Sequence, residues 1–532
     1  MGFVADCRHA GVPPLFRSTP RNPLWGNPAA REPLKLEVLD RSQAGEHRPR
    51  GVHVADRLTA VIVLAAGGGT RMKSAKPKVL HQIGGRSLVC HALHAARGLQ
   101  PEHLITVIGH GREAVEPHVR ELDDQVLFGI QTEQRGTGHA VQVALEALPA
   151  RVSGTVIVTY GDVPLQTTPT LAELAAQHQA EGNAATVLTA HPPDPFGYGR
   201  IVRETGGAVV AIVEEKDATA EQRAISEINS GIFAFDVAIL RDALGRVGSD
   251  NAAGEIYLTD VVAIAHADGH RVGALTIDDL WQTEGVNTRQ QLAGLGRELN
   301  RRVLARWMAD GVEIIDPATT WVDVTVELAA DVSLRPGVQL YGETVVEAGA
   351  VIGPDTTLTD VAVGCDAQVV RTHGSGAVLG SKTVVGPFAY LRPGTMVAAG
   401  GKVGAFVETK NAMIGEGAKV PHLSYVGDAE IGAGTNIGAG TIFANYDGVE
   451  KHRTRVGRHC HTGANNAFVA PVEIGDGAST GAGTVVRRDV PPGALAVSTG
   501  PQRHIEDWVE RKRPGSPAAE AAAQTRNQEA RP

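Results

Sequence analysis

Apolar residues follow three successive rhythms along the chain. From about residue 58 to 286, short runs such as AVIVLAA (60–66), LITVIG (104–109), TVIVTYG (155–161) and ATVLTA (185–190) alternate with segments of helical period. The runs have the length and β-branching of strands buried on both faces. LVCHALHAARGL (88–99) and PTLAELAAQHQAEG (169–182) are two of the intervening helices. This alternation predicts an α/β domain, a doubly wound, Rossmann-like sheet built by right-handed crossovers. Ligands in such folds bind beyond the carboxyl ends of the strands, where LAAGGGTRM and YGDVPL both fall.

The second rhythm occupies residues 287–312. Leu292, Leu295, Leu299 and Val303 recur at helical spacing and predict a connecting helix with one apolar stripe. The third, over 313–512, has a period of six. Leu328, Leu334, Leu340, Val346, Ile352 and Leu358 keep it; it resumes at Leu379, Val385, Leu391, Val397 and Val403, then at Ile431 and Ile437, and at Phe468 and Ile474. One inward aliphatic per six residues, with glycine close by, predicts a parallel β-helix. FANYDGVEKHRTR (443–455) interrupts the beat and should project as a loop, and loops mark the working face of a solenoid.

Composition changes the picture at the ends. Residues 1–57 are rich in Arg and Pro and keep no period, so they read as a disordered N-terminal extension or as sequence upstream of the true start. Residues 513–532 are low in complexity and read as a disordered tail. A formal charge of −9 over 532 residues argues against nucleic acid as the main partner. Cys7, Cys90, Cys365 and Cys460 lack C-x-x-C spacing, which fits a reducing compartment. No apolar run approaches the roughly 20 residues of a membrane span, and the N-terminus lacks a secretory apolar stretch. The expectation is a cytoplasmic protein without a membrane partner.

Candidate chemistry begins in LAAGGGTRMKSAKPKVLH (64–81). Its glycines fail both the dinucleotide and the Walker patterns, because Met72 replaces the third glycine and no G-K-[ST] occurs. Gly67, Gly68 and Gly69 let backbone amides approach phosphate oxygens, while Arg71 and Lys78 add charge. A tight strand–helix turn with a solvated basic face explains the glycines equally well. Gln131 and Gln134 could match the edge of a pyrimidine beside a turn at Gly136–Gly138. Asp162, at a strand end, could hold Mg²⁺ together with phosphates, or could simply cap a helix. In the β-helix, polar residues interrupt the repeat around YLRPG (390–394), FVETKNA (406–412), VPHLSYVG (420–427) and NIGAGT (436–441). His422 is the natural general base there, although a lone histidine in a repeat is more often structural. His459, Cys460 and His461 point to alternate faces and cannot ligate a metal jointly. His91 and His94 lack partners at ligand spacing.

L-x-x-G-x-G-T-R-M with P-K-V-L resembles the sugar-nucleotide pyrophosphorylases. QTEQRGTGHA, YGDVPL, GYGRIV, IVEEKDAT, EINSG and EGVNTR bring the chain closer still to the bifunctional N-acetylglucosamine-1-phosphate uridylyltransferases/glucosamine-1-phosphate acetyltransferases, from about 58 to about 512. The resemblance implies that the β-helix is left-handed and trimeric, and that Mg²⁺, UTP and acetyl-CoA serve the reactions. It implies that Leu64, Ala65, Gly67, Gly68, Gly69, Arg71, Lys78, Tyr160 and Gly161 surround the nucleotide. Gln131, Gln134, Gly136 and Thr137 would select uracil, and Asp162 and Asn287 would ligate Mg²⁺. Gly199, Glu214 and Asn229 would grip the N-acetylated sugar. In the second half His422 would be the catalytic base, with Glu408 orienting it. Arg392, Lys410, Tyr425, Asn436, Asn445, Tyr446 and Lys451 would hold glucosamine 1-phosphate. Ala439, Asn445, Tyr446, Ala464, Ala482 and Thr499 would face acetyl-CoA, with Ala464 and Thr499 replacing the family's usual serine and basic residue.

Two other readings compete. A single-activity nucleotidyltransferase could carry a β-helix that only trimerises or regulates, but a pure scaffold has no use for the polar interruptions around His422. A non-enzymatic nucleotide-sugar sensor could dispense with Arg71, Lys78, Asp162 and Asn287, all of which are present.

Overall fold

The computed structural model describes residues 58–149, 152–498, 500 and 502–529, so the expectations for residues 1–57 and for Thr499 lie outside the described residues. The chain divides into two compact units, one running to Val326 and including Leu340–Gly342, the other taking Glu327–Gln339 and everything from Glu343 onward.

The first unit is built on a mixed sheet whose strands are β1 (Ala60–Leu64), β2 (His103–Ile108), β3 (Leu127–Ile130), β4 (Thr155–Tyr160), β5 (Ala185–Ala190), β6 (Arg200–Arg203), β7 (Val209–Val213), β8 (Ile228–Asp236) and β9 (Val272–Thr276). The order across the sheet is β9-β5-β8-β4-β1-β2-β3, with β6 and β7 attached beside β8. Strand β1 is buried on both faces: Ala60, Ile62 and Leu64 enter one core and Val61 and Val63 the other. Burying each such side chain contributes about 1.5–3 kcal/mol, which is why the predicted strands read as unbroken apolar runs. The strands are not all parallel. Strand β8 runs antiparallel to both β4 and β5, with a register shift between Asn229 and Phe233. Its sequence, INSGIFAFD, enters the sheet as a long strand whose irregularity brings the Ser230 hydroxyl onto the Leu188 carbonyl and the Gly231 N–H onto Asn229 Oδ1.

The connecting helix spans Arg289–Ala309 and starts with a capping box between Thr288 and Gln291. Leu295 and Val303 are buried, and Leu292 and Leu299 pack against the same small core as Met72, Leu88 and Val286. The stripe predicted from spacing is therefore the face that docks.

The second unit is the left-handed parallel β-helix. Glu327 pairs with Val345, Val345 with Ala362, and the parallel stacking continues coil by coil through Val378, Met396, Met413 and Glu430. Every member of the six-residue series named above is buried, from Leu328 to Ile474. Glu430 pairs next with Arg455, and the predicted loop 443–455 is shorter than its sequence suggested: Phe443 and Ala444 remain in one stacked strand and Thr454 and Arg455 in the next, so only 445–453 projects outward. The tail departs from expectation. Pro517–Glu529 forms a helix beside the short helix Trp508–Lys512, with Ala519 buried. AAEAAAQ combines the strongest helix formers, Ser516 caps it, and Arg526 pairs with Asp507 and Glu510. Low complexity here encodes helix propensity. Among the described residues no helix is long and apolar enough to cross a membrane.

Candidate active sites

In the first unit β1 and β4 lie side by side with Leu64 opposite Tyr160, so the two strand-end motifs meet. The Gly161 N–H donates to the Leu64 carbonyl at 2.9 Å. Leu64 and Ala65 are buried, so their contribution is backbone. Gly69 has φ +59, and a Cβ there would lie 2.6 Å from Lys78 Cβ, so only glycine lets the lysine stem lie against the turn. Lys78 Nζ pairs with the Asp162 carboxylate and donates to Asn287 Oδ1 at 3.2 Å. Val286 N–H closes the same corner on the Asp162 carbonyl at 2.9 Å. Arg71 sits exposed on the turn Thr70–Met72. Two oxygens converging on one cation is the donor arrangement a hard divalent ion requires. Among the described residues no cluster of three or more His, Cys, Asp or Glu gathers as a metal cage. Asp162 and Asn287 therefore form a two-oxygen set whose remaining ligands would be phosphate and water.

The base and sugar candidates flank this corner. Gln131 is buried, and its Nε2 donates to the Gly136 carbonyl at 3.1 Å and contacts His139 Nδ1 at 3.2 Å. Gln134 Nε2 donates to the Ala66 carbonyl at 2.8 Å, tying the pyrimidine candidates to the glycine turn. Gly136 has φ +106, and a Cβ would lie 2.5 Å from the Ile256 carbonyl, so this turn also needs glycine. Thr137 Oγ1 accepts the Leu258 N–H at 3.1 Å. Gly199, Glu214 and Asn229 converge: Asn229 N–H donates to the Gly199 carbonyl at 2.9 Å, and a Cβ on Gly199 would sit 3.4 Å from Glu214 Oε2. Burial raises the Glu214 carboxyl above the usual range, opposed by a hydrogen bond from Thr259. Burial, then the charges of Glu214 and Asp162, push the Tyr160 phenol well above its ordinary value, so Tyr160 stays neutral.

In the β-helix His422 closes the strand Lys419–His422 and is exposed. Its carbonyl accepts Ser424 Oγ at 2.7 Å and the Gly440 N–H at 3.2 Å, which sets Ala439 and Gly440 on the coil beside it. Tyr390, Glu408, Tyr425 and Ile442 stack in one outward column. Glu408 departs from its expected role: its carboxylate accepts from Arg392 Nη1 at 2.9 Å, on the preceding coil two residues beyond Tyr390. Lys451 lies beside Lys410 and, ahead of burial, lowers the Lys410 ammonium from its usual range. Two ammonium groups held together make a ready phosphate site.

Sequence reasoning missed Asp428. It lies 3.9 Å from Lys410 Nζ and accepts from Asn411 Nδ2 at 2.7 Å and Asn445 Nδ2 at 2.5 Å. Burial disfavours its charge, yet the two amide hydrogen bonds hold its carboxyl below the usual range. The signal was the acid directly after a glycine in VGDAE, one coil above Lys410. Asp447 organises the excursion through the Val449 and Glu450 amides at 2.8 and 2.7 Å and through His452 at 2.7 Å. Tyr446 pairs with Lys451 across this hairpin and is exposed, while Asn445 is buried. Asn436 stands on a different column, between Lys419 and His461. Ala464 accepts from the Gly483 N–H at 2.8 Å, so Ala464 and Ala482 lie on neighbouring coils, both exposed. Cys460 is buried between exposed His459 and His461. His91 is a buried structural histidine bonded to the Ile83 carbonyl at 3.0 Å.

Residues 61–225 match the model of the MobA-like NTP transferase domain. The chain is similar to a bifunctional protein GlmU of Kineococcus radiotolerans, 61% identical over 463 residues that cover 87% of this chain and 94% of that one. The GlmU proteins of Mycolicibacterium vanbaalenii and Streptomyces avermitilis are each 59% identical, covering 87% and 88% of this chain and 95% and 97% of their own lengths. With both halves and the intervening helix accounted for, the chain belongs to the GlmU family of bifunctional proteins.

Proposed function

We propose that this chain makes UDP-N-acetylglucosamine at two separate sites, acetylating glucosamine 1-phosphate in the β-helix and uridylylating the product in the α/β domain (58–286). The observation that carries the reading is the meeting of Lys78, Asp162 and Asn287 across 209 residues of sequence. A triphosphate placed over the glycine turn puts its phosphates against Lys78 and Arg71. A phosphate oxygen of N-acetylglucosamine 1-phosphate attacks the α-phosphorus of UTP, the bond to the β-phosphate oxygen breaks, and pyrophosphate departs. Lys78 and Arg71 offset the negative charge that develops on the leaving group. Asp162 and Asn287 would hold Mg²⁺, which when bound neutralises phosphate charge. Gln131, Gln134 and Gly136 select the pyrimidine; Gly199, Glu214 and Asn229 hold the sugar.

At the second site Lys410, Lys451 and Arg392 hold the phosphate of glucosamine 1-phosphate, with Tyr425 and Asn436 nearby. The 2-amino group attacks the thioester carbonyl of acetyl-CoA, His422 takes its proton, the C–S bond breaks, and the CoA thiolate leaves. A backbone amide near Ala439 stabilises the oxyanion. Val345, Met396 and Met413 expose 38%, 38% and 49% of their surfaces along one column, which favours a trimer packed through this face. Acetyl-CoA would then lie between neighbouring solenoids, against Ala464, Ala482, Asn445 and Tyr446.

A paired assay on one preparation tests the proposal. Pyrophosphate is measured from UTP with N-acetylglucosamine 1-phosphate, and free thiol from acetyl-CoA with glucosamine 1-phosphate. Both are expected. Thiol without pyrophosphate, or the reverse, removes one assignment.

A further inference from the structure

Asp162 and Asn287 come from loops far apart in sequence, and a small cation tolerates little error in their separation. Mg²⁺ demands near-octahedral geometry with oxygens about 2.0–2.1 Å away. One tether between the loops is direct, the Val286 N–H on the Asp162 carbonyl. A second runs through side chains. The loop that leaves Asp162 ends at Thr167, whose backbone N–H and Oγ1 both donate to Gln282 Oε1, at 3.2 and 3.0 Å. Gln282 Nε2 donates to Asp279 Oδ2 at 3.1 Å. Arg302, on the connecting helix, grips both Asp279 oxygens at 2.9 and 2.8 Å. Its Nε donates to buried Glu298 at 2.7 Å. The N-terminus of the same helix fixes Asn287, because Gln291 Oε1 accepts the Asn287 N–H at 3.0 Å.

The path therefore begins at Thr167, at the end of the loop that follows Asp162, and ends on the helix that Asn287 immediately precedes. Gln282 is 7% exposed, so its amide cannot exchange partners with water. Its orientation is also unambiguous, since the oxygen receives two donors and the nitrogen faces a carboxylate. Nothing in the reaction chemistry uses these groups. Their common effect is geometric.

We propose that Gln282, Asp279 and Arg302 form a positioning relay that sets the separation of Asp162 and Asn287, and with it the affinity of the uridylyl-transfer site for its divalent ion. The proposal rests on the assignment of those two residues as the metal ligands. The connecting helix is then part of the first site's scaffold as well as a link to the second half. Groups hydrogen-bonded directly to metal ligands typically control affinity by roughly 10- to 100-fold, and this relay acts one step further back, toward the lower end of that range.

The test is an EPR titration of Mn²⁺ into the full-length protein saturated with UTP, using Gln282→Leu, Arg302→Met, Arg302→Lys and Asp162→Ala. Gln282→Leu and Arg302→Met should raise the Mn²⁺ dissociation constant about 10-fold or more. Arg302→Lys, which keeps one contact of two, should fall between them and the parent, and acetyl transfer should be unchanged in all. Mn²⁺ affinity equal to the parent in Gln282→Leu and Arg302→Met, with binding lost in Asp162→Ala, overturns the relay. Parental affinity in Asp162→Ala overturns the ligand assignment instead. If Gln282→Leu does not fold, the ordering of the two Arg302 variants decides.

Discussion

Lys78 and Asp162 expose only 11% and 16% of their side chains, whereas Arg392 and Glu408, paired across neighbouring coils, expose 38% and 41%. The difference follows from topology. In the α/β unit, loops from distant parts of the chain fold over one another at the ends of β1 and β4, so one chain encloses its own site. A solenoid coil touches only the coils before and after it, and its outward side chains have no later segment to cover them. The segment 445–453 leaves the stack, and it brings Asn445, Tyr446 and Lys451. In the proposed trimer a site on such a surface would gain its remaining wall from another copy of the chain. On this account the first activity belongs to a single chain and the second to an assembly.

The largest effects should separate the two halves by chemistry. His422→Ala should slow acetyl transfer by about 10²–10⁴-fold, the usual worth of a general base, with uridylyl transfer intact. Lys78→Ala should lower the turnover of uridylyl transfer at saturating substrates by about 10²–10³-fold and spare acetyl transfer. A change confined to KM would show that Lys78 only binds. Dilution sharpens the contrast further: below the concentration at which sedimentation shows trimers dissociating, acetyl transfer per chain should collapse while uridylyl transfer stays constant.

A smaller effect concerns the scaffold. Leu391→Ala, in the β-helix core beneath Tyr390 and Arg392, should destabilise that unit by about 2–5 kcal/mol in denaturant melts. The smallest concerns pH. Hydrogen bonds from Arg301, opposed by burial and joined by Arg302, hold the Glu298 carboxyl at about 2. A depressed folded value gives stability that is present above the unfolded range, near 4.3, and is lost as pH falls toward 2. Acid titration of Glu298→Gln should lack that part of the loss.

Much of this was readable from sequence because it is local. The six-residue beat places one aliphatic per face wherever it occurs, so Leu334, Ile352 and Leu379 needed no tertiary information. Strand ends mark ligand sites in α/β sheets, which made LAAGGGTRM and YGDVPL meet on paper as they do across Leu64 and Tyr160. Contacts chosen by packing were not readable. Strand β8 reverses direction because of where its neighbours leave space, and INSGIFAFD carries no mark of direction. Glu408 reaches Arg392, and Gln282 reaches Thr167, through pairings that only the assembled fold creates. The tail was misread because an alanine-rich, low-complexity segment can be either chain entropy or helix, and Ser516 and Arg526 decide for helix.

The central claim is that one chain carries the catalytic residues of two separate and independent activities. Mixing the His422→Ala and Lys78→Ala proteins, each crippled in one of the two steps, tests it most directly. Supplied with glucosamine 1-phosphate, acetyl-CoA and UTP, the mixture should produce UDP-N-acetylglucosamine, because the acetylated sugar phosphate made by one protein is consumed by the other. A mixture that forms no more product than either variant alone would contradict the account.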